Sequence, residues 1–128
     1  MAGNKTPKYK AKKAPHFSNH PEPGFMLRGR IWLEKDGELY VGWGRIMLLE
    51  RIGKFGSIAR AAKSMGLGYR NAWLWVEAMN RLSPVQLVEK STGGVGGGHA
   101  KLTKEGQNVI SEYKEVRVKF LEFLKQGI

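Results

Sequence analysis

The strongest constraint on the fold is the order in which short apolar stripes alternate with glycines in the middle of the chain. Apolar residues recur there every three or four positions and predict three helices, at about 45–52, 58–65 and 69–82. Gly53 and Gly56 are expected to end the first helix, and Gly66 permits a sharp turn between the second and the third. Three short helices in this order leave few possible arrangements.

Small residues mark the second predicted helix as one that packs closely on its neighbour. Ala61 and Ala62 stand on its apolar side, and Ser57 precedes it as a typical N-cap residue. The third helix is expected to bury the stripe formed by Ala72, Val76 and Met79. A helix-turn-helix is therefore predicted over about 58–82.

Two hairpins are predicted on either side of these helices. In the first, over 28–41, Ile31, Leu33, Leu39 and Val41 alternate with polar or aromatic residues, and Asp36-Gly37 predicts a tight turn. The second joins short strands over 86–90 and 99–102 through a glycine-rich loop. A hairpin directly after a helix-turn-helix is the wing of a winged helix-turn-helix. We therefore expect a mainly α fold with small β hairpins.

A long helix is predicted to end the chain, at about 104–125 with Thr103 as its N-cap. Its apolar residues form a heptad seam, made of Val109, Tyr113, Val116, Phe120 and Phe123. We interpret this seam as a dimerisation surface, because it offers more apolar area than a terminal helix leaves in water. The alternative is that the helix folds back on its own domain.

The chain is strongly basic, with a formal net charge of +11 over 128 residues. Residues 1–25 hold five lysines against Glu22 and four of the five prolines, so they carry a net +4 and are expected to form a disordered basic arm. The folded part, which we divide into a winged domain at 26–103 and the terminal helix at 104–128, keeps the remaining +7. A basic excess in both parts favours a polyanionic partner, and double-stranded DNA is the first candidate.

Several classes of function are not expected from this sequence. Cysteine is absent, which removes thiolate ligands and disulfides and agrees with a cytoplasmic protein. The loop 93–98 lacks the Lys-Ser/Thr that follows a phosphate-binding P-loop. No catalytic constellation, metal site or cofactor is predicted. His16 and His20 are four residues apart, but they lie in a proline-rich segment where no metal site is expected. We therefore expect neither an enzyme nor a membrane-spanning protein.

Several motifs resemble the N-terminal DNA-binding domain of the ModE family of molybdate-responsive transcription regulators, which is similar in this domain to the LysR-type regulators. The match runs from about Arg45 to Tyr113, and the glycine-rich wing is its most specific part. The motifs are Gly56-Ser57-Ile58 with Ala61-Ala62, Gly68-Tyr69-Arg70-Asn71-Ala72-Trp73, Met79-Asn80-Arg81-Leu82, Leu87-Val88-Glu89-Lys90, the stretch from Thr92 to Gly98, and Leu102-Thr103.

The resemblance implies a homodimer through the terminal helix and a hairpin ahead of the first helix. Members of the family carry a C-terminal molybdate-binding domain, whereas this sequence ends at Ile128. We therefore do not expect these 128 residues to sense molybdate by themselves. Gly68 also stands where the family usually has a serine N-cap, a change that costs only a few tenths of a kcal/mol.

The predicted DNA-binding residues open the second and third helices and flank the wing. Arg70 is placed to pair with a guanine and Asn71 with an adenine, although either can equally contact phosphate alone. Trp73 is expected either to stack on the DNA edge or to cover the core. The full set is Ser57, Arg60, Tyr69, Arg70, Asn71, Trp73, Thr92, Gly94, Gly96, Gly97, His99 and Lys101.

Three functions remain open at this point. The first is a sequence-specific transcription regulator that binds DNA as a dimer, with helix 69–82 in the major groove and the wing on the backbone. The second is an architectural, chromatin-type DNA-binding protein of low specificity, which the basic arm favours. The third is a membrane-surface or protein-interaction module, suggested by the amphipathic terminal helix.

Overall fold

The computed structural model describes residues 24–91 and 98–126, which form four helices and two antiparallel hairpins. The predicted mainly α architecture is confirmed. The elements in chain order are β1 (Trp32–Lys35), β2 (Glu38–Gly42), α1 (Trp43–Phe55), α2 (Ile58–Ser64), α3 (Tyr69–Leu82), β3 (Val88–Ser91), β4 (His99–Leu102) and α4 (Lys104–Gln126). The predicted basic arm at 1–25 lies almost entirely outside the described residues.

The first hairpin turns at Asp36 and Gly37, as predicted, and both residues have positive φ (52° and 80°). Its predicted apolar alternation is only partly right. Val41 is buried, whereas Leu33 and Leu39 are 56% and 40% exposed. A register shift between Leu33 and Glu34 breaks the regular alternation, and only the base of the hairpin joins the core.

The first helix is longer than predicted and passes through Gly53. The helix ends at Gly56, whose φ of 69° and N–H bond to the Ile52 carbonyl (2.8 Å) form a left-handed C-cap. Gly53 has a different role, because a Cβ there would lie 3.0 Å from the Leu102 side chain. It permits the close approach of β4 to α1, so its prediction as a helix end was wrong.

The helix-turn-helix forms as predicted. Ser57 caps α2 by accepting a hydrogen bond from the Arg60 N–H at 3.1 Å. Ala61 and Ala62 are buried, and Gly66 takes a φ of 66° in the turn that leads to α3. The observed bounds of α3 coincide with the predicted ones, and its buried residues are Ala72, Val76, Met79 and Leu82.

The second hairpin packs beside α1 as a wing. Ser91 pairs with His99 at the open end of the described ladder, and Val88 pairs with Leu102 at its base. A backbone hydrogen bond from the Ala100 N–H to the Gly56 carbonyl (2.9 Å) ties β4 to the end of α1. The wing is thus fixed to the same core as the helices.

The last helix divides into a buried and an exposed part. Thr103 caps it as predicted, accepting from the Gly106 N–H at 3.0 Å. Val109 and Tyr113 lie in the chain's own core, and the Tyr113 hydroxyl donates to the Ile31 carbonyl at 2.9 Å. Burial raises the pKa of Tyr113. These two seam residues therefore do what the alternative predicted: they fold back on the domain.

The rest of the predicted seam is less covered. Phe120 is half-buried and approaches Gly29, where a Cβ would lie 3.0 Å from its ring. Val116 and Phe123 are 55% and 51% exposed. The tertiary packing therefore covers the seam through Tyr113 and leaves Val116 and Phe123 largely exposed.

Two glycines in helices provide a test of the packing. In α4, a Cβ on Gly106 would lie 2.5 Å from the Leu87 carbonyl oxygen, whereas one on Gly44 in α1 would lie 3.6 Å from Trp75. We expect Gly106→Ala to destabilise the fold by about 1–3 kcal/mol through steric overlap. The matched Gly44→Ala variant should be neutral or gain up to about 0.5–1 kcal/mol from helix propensity. Urea unfolding measures both, and equal effects would contradict the packing.

Candidate nucleic-acid interface

Four of the predicted DNA-binding residues meet at one cleft between α2, α3 and the wing. Ser57 stands at the start of α2, Tyr69 and Trp73 project from α3, and His99 opens β4. They line a cleft of about 250 Å³ that Lys90 of β3 also borders. Residues predicted separately along the chain are therefore brought to one surface.

The exposed start of α3 carries Arg70 and Asn71 outside this cleft. Both side chains are exposed, and neither forms a side-chain hydrogen bond or ion pair within ranges 24–91 and 98–126. Their hydrogen-bonding groups are thus available to a ligand. A guanidinium and a carboxamide on the first turn of a projecting helix match the side chains that read guanine and adenine edges.

Trp73 is partly exposed at the edge of the cleft. It is 39% exposed, and the ammonium of Lys90 stands 4.8 Å from its ring centroid. Lys90 also forms an ion pair with Glu77, one turn further along α3. The wing strand and α3 are therefore joined through a cation–π contact and an ion pair, and Glu77 was not recognised in the sequence.

Arg60 lies on the other side of α2, beside a cation that sequence reasoning missed. The Arg60 guanidinium is 5.5 Å and the Lys54 ammonium 5.3 Å from the ring centroid of Phe55. Neither cation has a carboxylate partner within the described chain. Two cationic side chains at one aromatic ring, without a carboxylate partner in the described residues, create a positive electrostatic potential that can attract an anion.

The wing residues can be placed only in part. His99 and Lys101 are both exposed on β4, two residues apart, while Ala100 between them is buried. The predicted contacts Thr92, Gly94, Gly96 and Gly97 lie outside the described residues. The strand thus presents a histidine and a lysine on the face away from the core.

Asn80 connects α3 to the wing and was given no role from the sequence. Its side-chain oxygen accepts from the N–H groups of Leu87 (2.8 Å) and Val88 (3.2 Å), and its amide nitrogen donates to the Val88 carbonyl (2.9 Å). Three hydrogen bonds from one partly buried side chain fix the entry into β3. A carboxamide suits this position because its oxygen accepts hydrogen bonds and its nitrogen donates them.

Other kinds of site are not found in the part of the chain that the structure covers. Ranges 24–91 and 98–126 hold no group of three or more His, Cys, Asp or Glu side chains arranged for a metal. Among the described helices, none is long and apolar enough to cross a membrane.

The helix-turn-helix, the wing beside it and the exposed start of α3 define the winged helix-turn-helix class. Comparison with known proteins then gives a closer relationship. No protein-family model matches the chain. It is 44% identical over 83 residues to "DNA-binding transcriptional dual regulator ModE" of Escherichia coli K12, a match that covers 65% of this chain and 32% of that protein.

Two further relatives agree with the first. "Molybdenum-pterin-binding protein MopA" of Rhodobacter capsulatus is 43% identical over 68% of this chain and 33% of its own length. "Molybdenum transport protein ModE" of Azotobacter vinelandii is 37% identical over 71% of this chain and 34% of its own length. About two thirds of this chain therefore matches a ModE-family domain, which confirms the resemblance. The chain spans about a third of the length of these relatives.

The Asn80 contacts generate a stability prediction. Asn80→Ala removes all three hydrogen bonds, and we expect it to lower the free energy of unfolding by about 1–3 kcal/mol. Asn80→Asp keeps the acceptor for the two N–H groups but removes the donor, so its decrease in the free energy of unfolding should differ from that of the alanine variant. Urea unfolding with amide exchange at Leu87 and Val88 measures the effect. Unchanged protection at both amides would contradict this role.

Proposed function

We propose that the chain is a sequence-specific, DNA-binding transcription regulator that inserts α3 in the major groove. The observation that carries the proposal is the exposure of Arg70 and Asn71 at the start of α3, where neither side chain has a hydrogen-bond or ion-pair partner among residues 24–91 and 98–126. The names of the ModE relatives, one of which is called a DNA-binding transcriptional regulator, support it. Action in the cytoplasm would follow from this function.

The geometry around α3 supports such a docking. A major groove accepts one α-helix, and the first turn of a recognition helix contacts the base edges. Tyr69 and Trp73 are exposed beside Arg70 and offer apolar area to a thymine methyl or a sugar edge. The wing, with Thr92, Gly94, Gly96, Gly97, His99 and Lys101, is proposed to follow the adjacent backbone.

Phosphate contacts are proposed for Lys54, just before the helix-turn-helix, and for Arg60 in α2. Lys54 and Arg60 share the Phe55 ring without a carboxylate partner in the described chain, so their charge remains available to a phosphate. Ser57, as an N-cap, has its hydroxyl oxygen already engaged. The net charge of +11 supports binding that weakens steeply with salt.

Two alanine variants distinguish base reading from phosphate contact. We expect Arg70→Ala to weaken binding to a selected DNA site by about 1–3 kcal/mol and to relax its sequence preference. We expect Lys54→Ala to weaken specific and random DNA equally and to lower the slope of log K against log salt by about 1. Fluorescence anisotropy titrations over a salt series, on sites from in-vitro selection, measure both.

The same titrations test the rival function. A specific-to-random affinity ratio near one for the unchanged chain would favour an architectural protein of low specificity. Equal losses on both DNAs for Arg70→Ala would contradict its role in reading bases. An unchanged salt slope for Lys54→Ala would contradict a phosphate contact at Phe55.

We also propose that two copies pair through the exposed end of α4 together with the first hairpin. Val116 and Phe123 of the seam are exposed, and so are Trp32, Leu33 and Leu39 on the hairpin. A groove of about 380 Å³ between the hairpin and α4 has Leu33 and Val116 in its walls. Contiguous apolar surface of this kind marks an interaction site, and two-fold pairing matches a palindromic DNA site.

Substitutions on the two sides of α4 test the dimer. Val116 and Val118 are exposed to similar degrees, 55% and 60%, but project from different sides of the helix. We expect Val116→Glu to convert a dimer to a monomer and Val118→Glu to leave it intact. Sedimentation equilibrium measures the mass, and a monomeric unchanged chain, or equal effects of the two variants, would contradict the proposed surface.

Two of the three relatives named above have molybdenum in their names. Those names do not show whether this chain senses molybdate. The matches cover about a third of each relative, so most of the relatives' length has no counterpart in these 128 residues. We propose that the described domain supplies DNA binding and does not itself respond to molybdate.

A further inference from the structure

The tip of the first hairpin reaches the C-terminal end of α3, which is the end away from Arg70. The Lys35 ammonium donates to the Leu82 carbonyl at 2.8 Å, in a partly buried contact. The carbonyls of the last helical turn have no partner within their helix, and a cation there also complements the helix dipole. Lys35 therefore caps α3 from a different element, 47 residues earlier in the chain.

A second contact at the hairpin tip joins Glu38 to Arg81. Both terminal nitrogens of Arg81 bind the Glu38 carboxylate, with Nη1 at 3.3 Å from Oε1. The hydrogen bond from Arg81 lowers the pKa of Glu38. A bidentate pair restricts the angle as well as the distance between its two elements.

Arg45 of α1 connects the base of the hairpin with the middle of α3. Arg45 donates to the carbonyls of Leu39 (2.8 Å) and Tyr40 (3.2 Å), and its guanidinium lies 5.8 Å from the Trp75 ring centroid. Burial lowers the pKa of Arg45. The hairpin is therefore joined to α3 directly at the helix end and, through Arg45 of α1, near Trp75.

We propose that the β1–β2 hairpin is a positioning element for α3, in which Lys35 and the Glu38–Arg81 pair set the angle of the helix. This inference rests on the proposed function, in which Arg70 and Asn71 must reach base edges. Asn80 fixes the wing to α3, and the turn at Gly66 joins α3 to α2. The hairpin supplies a separate restraint, at the end of the helix that lies furthest from its first turn.

If α3 rotates slightly about its first turn, its C-terminal end moves the most. A contact that holds the C-terminal end therefore opposes this rotation most effectively. Base-edge hydrogen bonds lose strength steeply as distance and angle depart from their optimum, whereas contacts to phosphate tolerate more displacement. Loss of the hairpin contacts should therefore reduce sequence discrimination more than non-specific binding.

A charge exchange tests the positioning role. We expect Glu38→Arg and Arg81→Glu, made singly in the full chain, each to weaken binding to the selected DNA site about threefold to tenfold and to lower the specific-to-random ratio. The double variant restores an ion pair with reversed polarity, so it should recover both values to within about twofold. The readout is fluorescence anisotropy on selected and random DNA at one salt concentration.

Glu34→Arg is the matched control for the added charge. Glu34 lies on the same hairpin, and its carboxylate accepts from the Trp32 indole and not from α3. The Glu34→Arg variant changes the net charge as Glu38→Arg does, and its specific-to-random affinity ratio should remain that of the unchanged chain. Lys35→Met, which keeps the length of the side chain and removes the donor, should lower the ratio, and Lys35→Arg should retain it.

Several outcomes would overturn the inference. One such outcome is a loss of DNA affinity in Arg81→Glu that persists in the double variant and is equally large on random DNA, because it would mean that Arg81 contacts phosphate directly. The positioning role is also contradicted if Glu38→Arg and Lys35→Met keep the specific-to-random affinity ratio of the unchanged chain while unfolding at the same urea concentration as that chain. If a charge-exchange variant fails to fold, Lys35→Met decides the question. An unchanged chain that does not discriminate between DNA sequences contradicts the proposed function itself, a result separate from failure of the exchange alone.

Discussion

The structure depends on the burial of α1. Its residues Ile46, Leu48, Leu49 and Ile52 are fully inaccessible to solvent, and α1 packs on β2, α2, β4 and α4. Each such side chain contributes about 1.5–3 kcal/mol when transferred from water to the core. Two of these neighbours, α2 and β4, carry residues of the proposed DNA surface, so changes in the core beneath them are expected to displace that surface.

Polar side chains then determine how the elements around α1 are oriented. Asn80 holds the start of the wing against α3, and Lys90 joins the wing to the same helix through Glu77 and Trp73. Lys35 and Glu38 hold the other end of α3. Surface ion pairs contribute little to stability on their own, so their value here lies in the angles they fix rather than in free energy of unfolding.

Much of the local structure could be predicted from the sequence. The bounds of α3 and β4, the Asp36-Gly37 turn and the caps at Ser57 and Thr103 all depend on residues within a few positions of each other. Interactions of that range are encoded by periodicity and by the side chains that cap helices. The role of Gly53 could not be predicted in this way. A glycine is needed there because the side chain of Leu102, which lies far away in the chain, packs against it.

The helix-turn-helix, the wing and the residues exposed at the start of α3 could be predicted from the sequence alone, because these follow from spacing, capping and residue type. Packing between distant parts of the chain determined which half of the heptad seam is core, since Val109 and Tyr113 meet the hairpin base and α1 while Val116 extends beyond them. It also decided that Lys54 and Arg60 share one ring and that Asn80, Lys35 and Glu38 fix α3. Such contacts join distant parts of the chain, and no local pattern records which distant partner a polar side chain will meet.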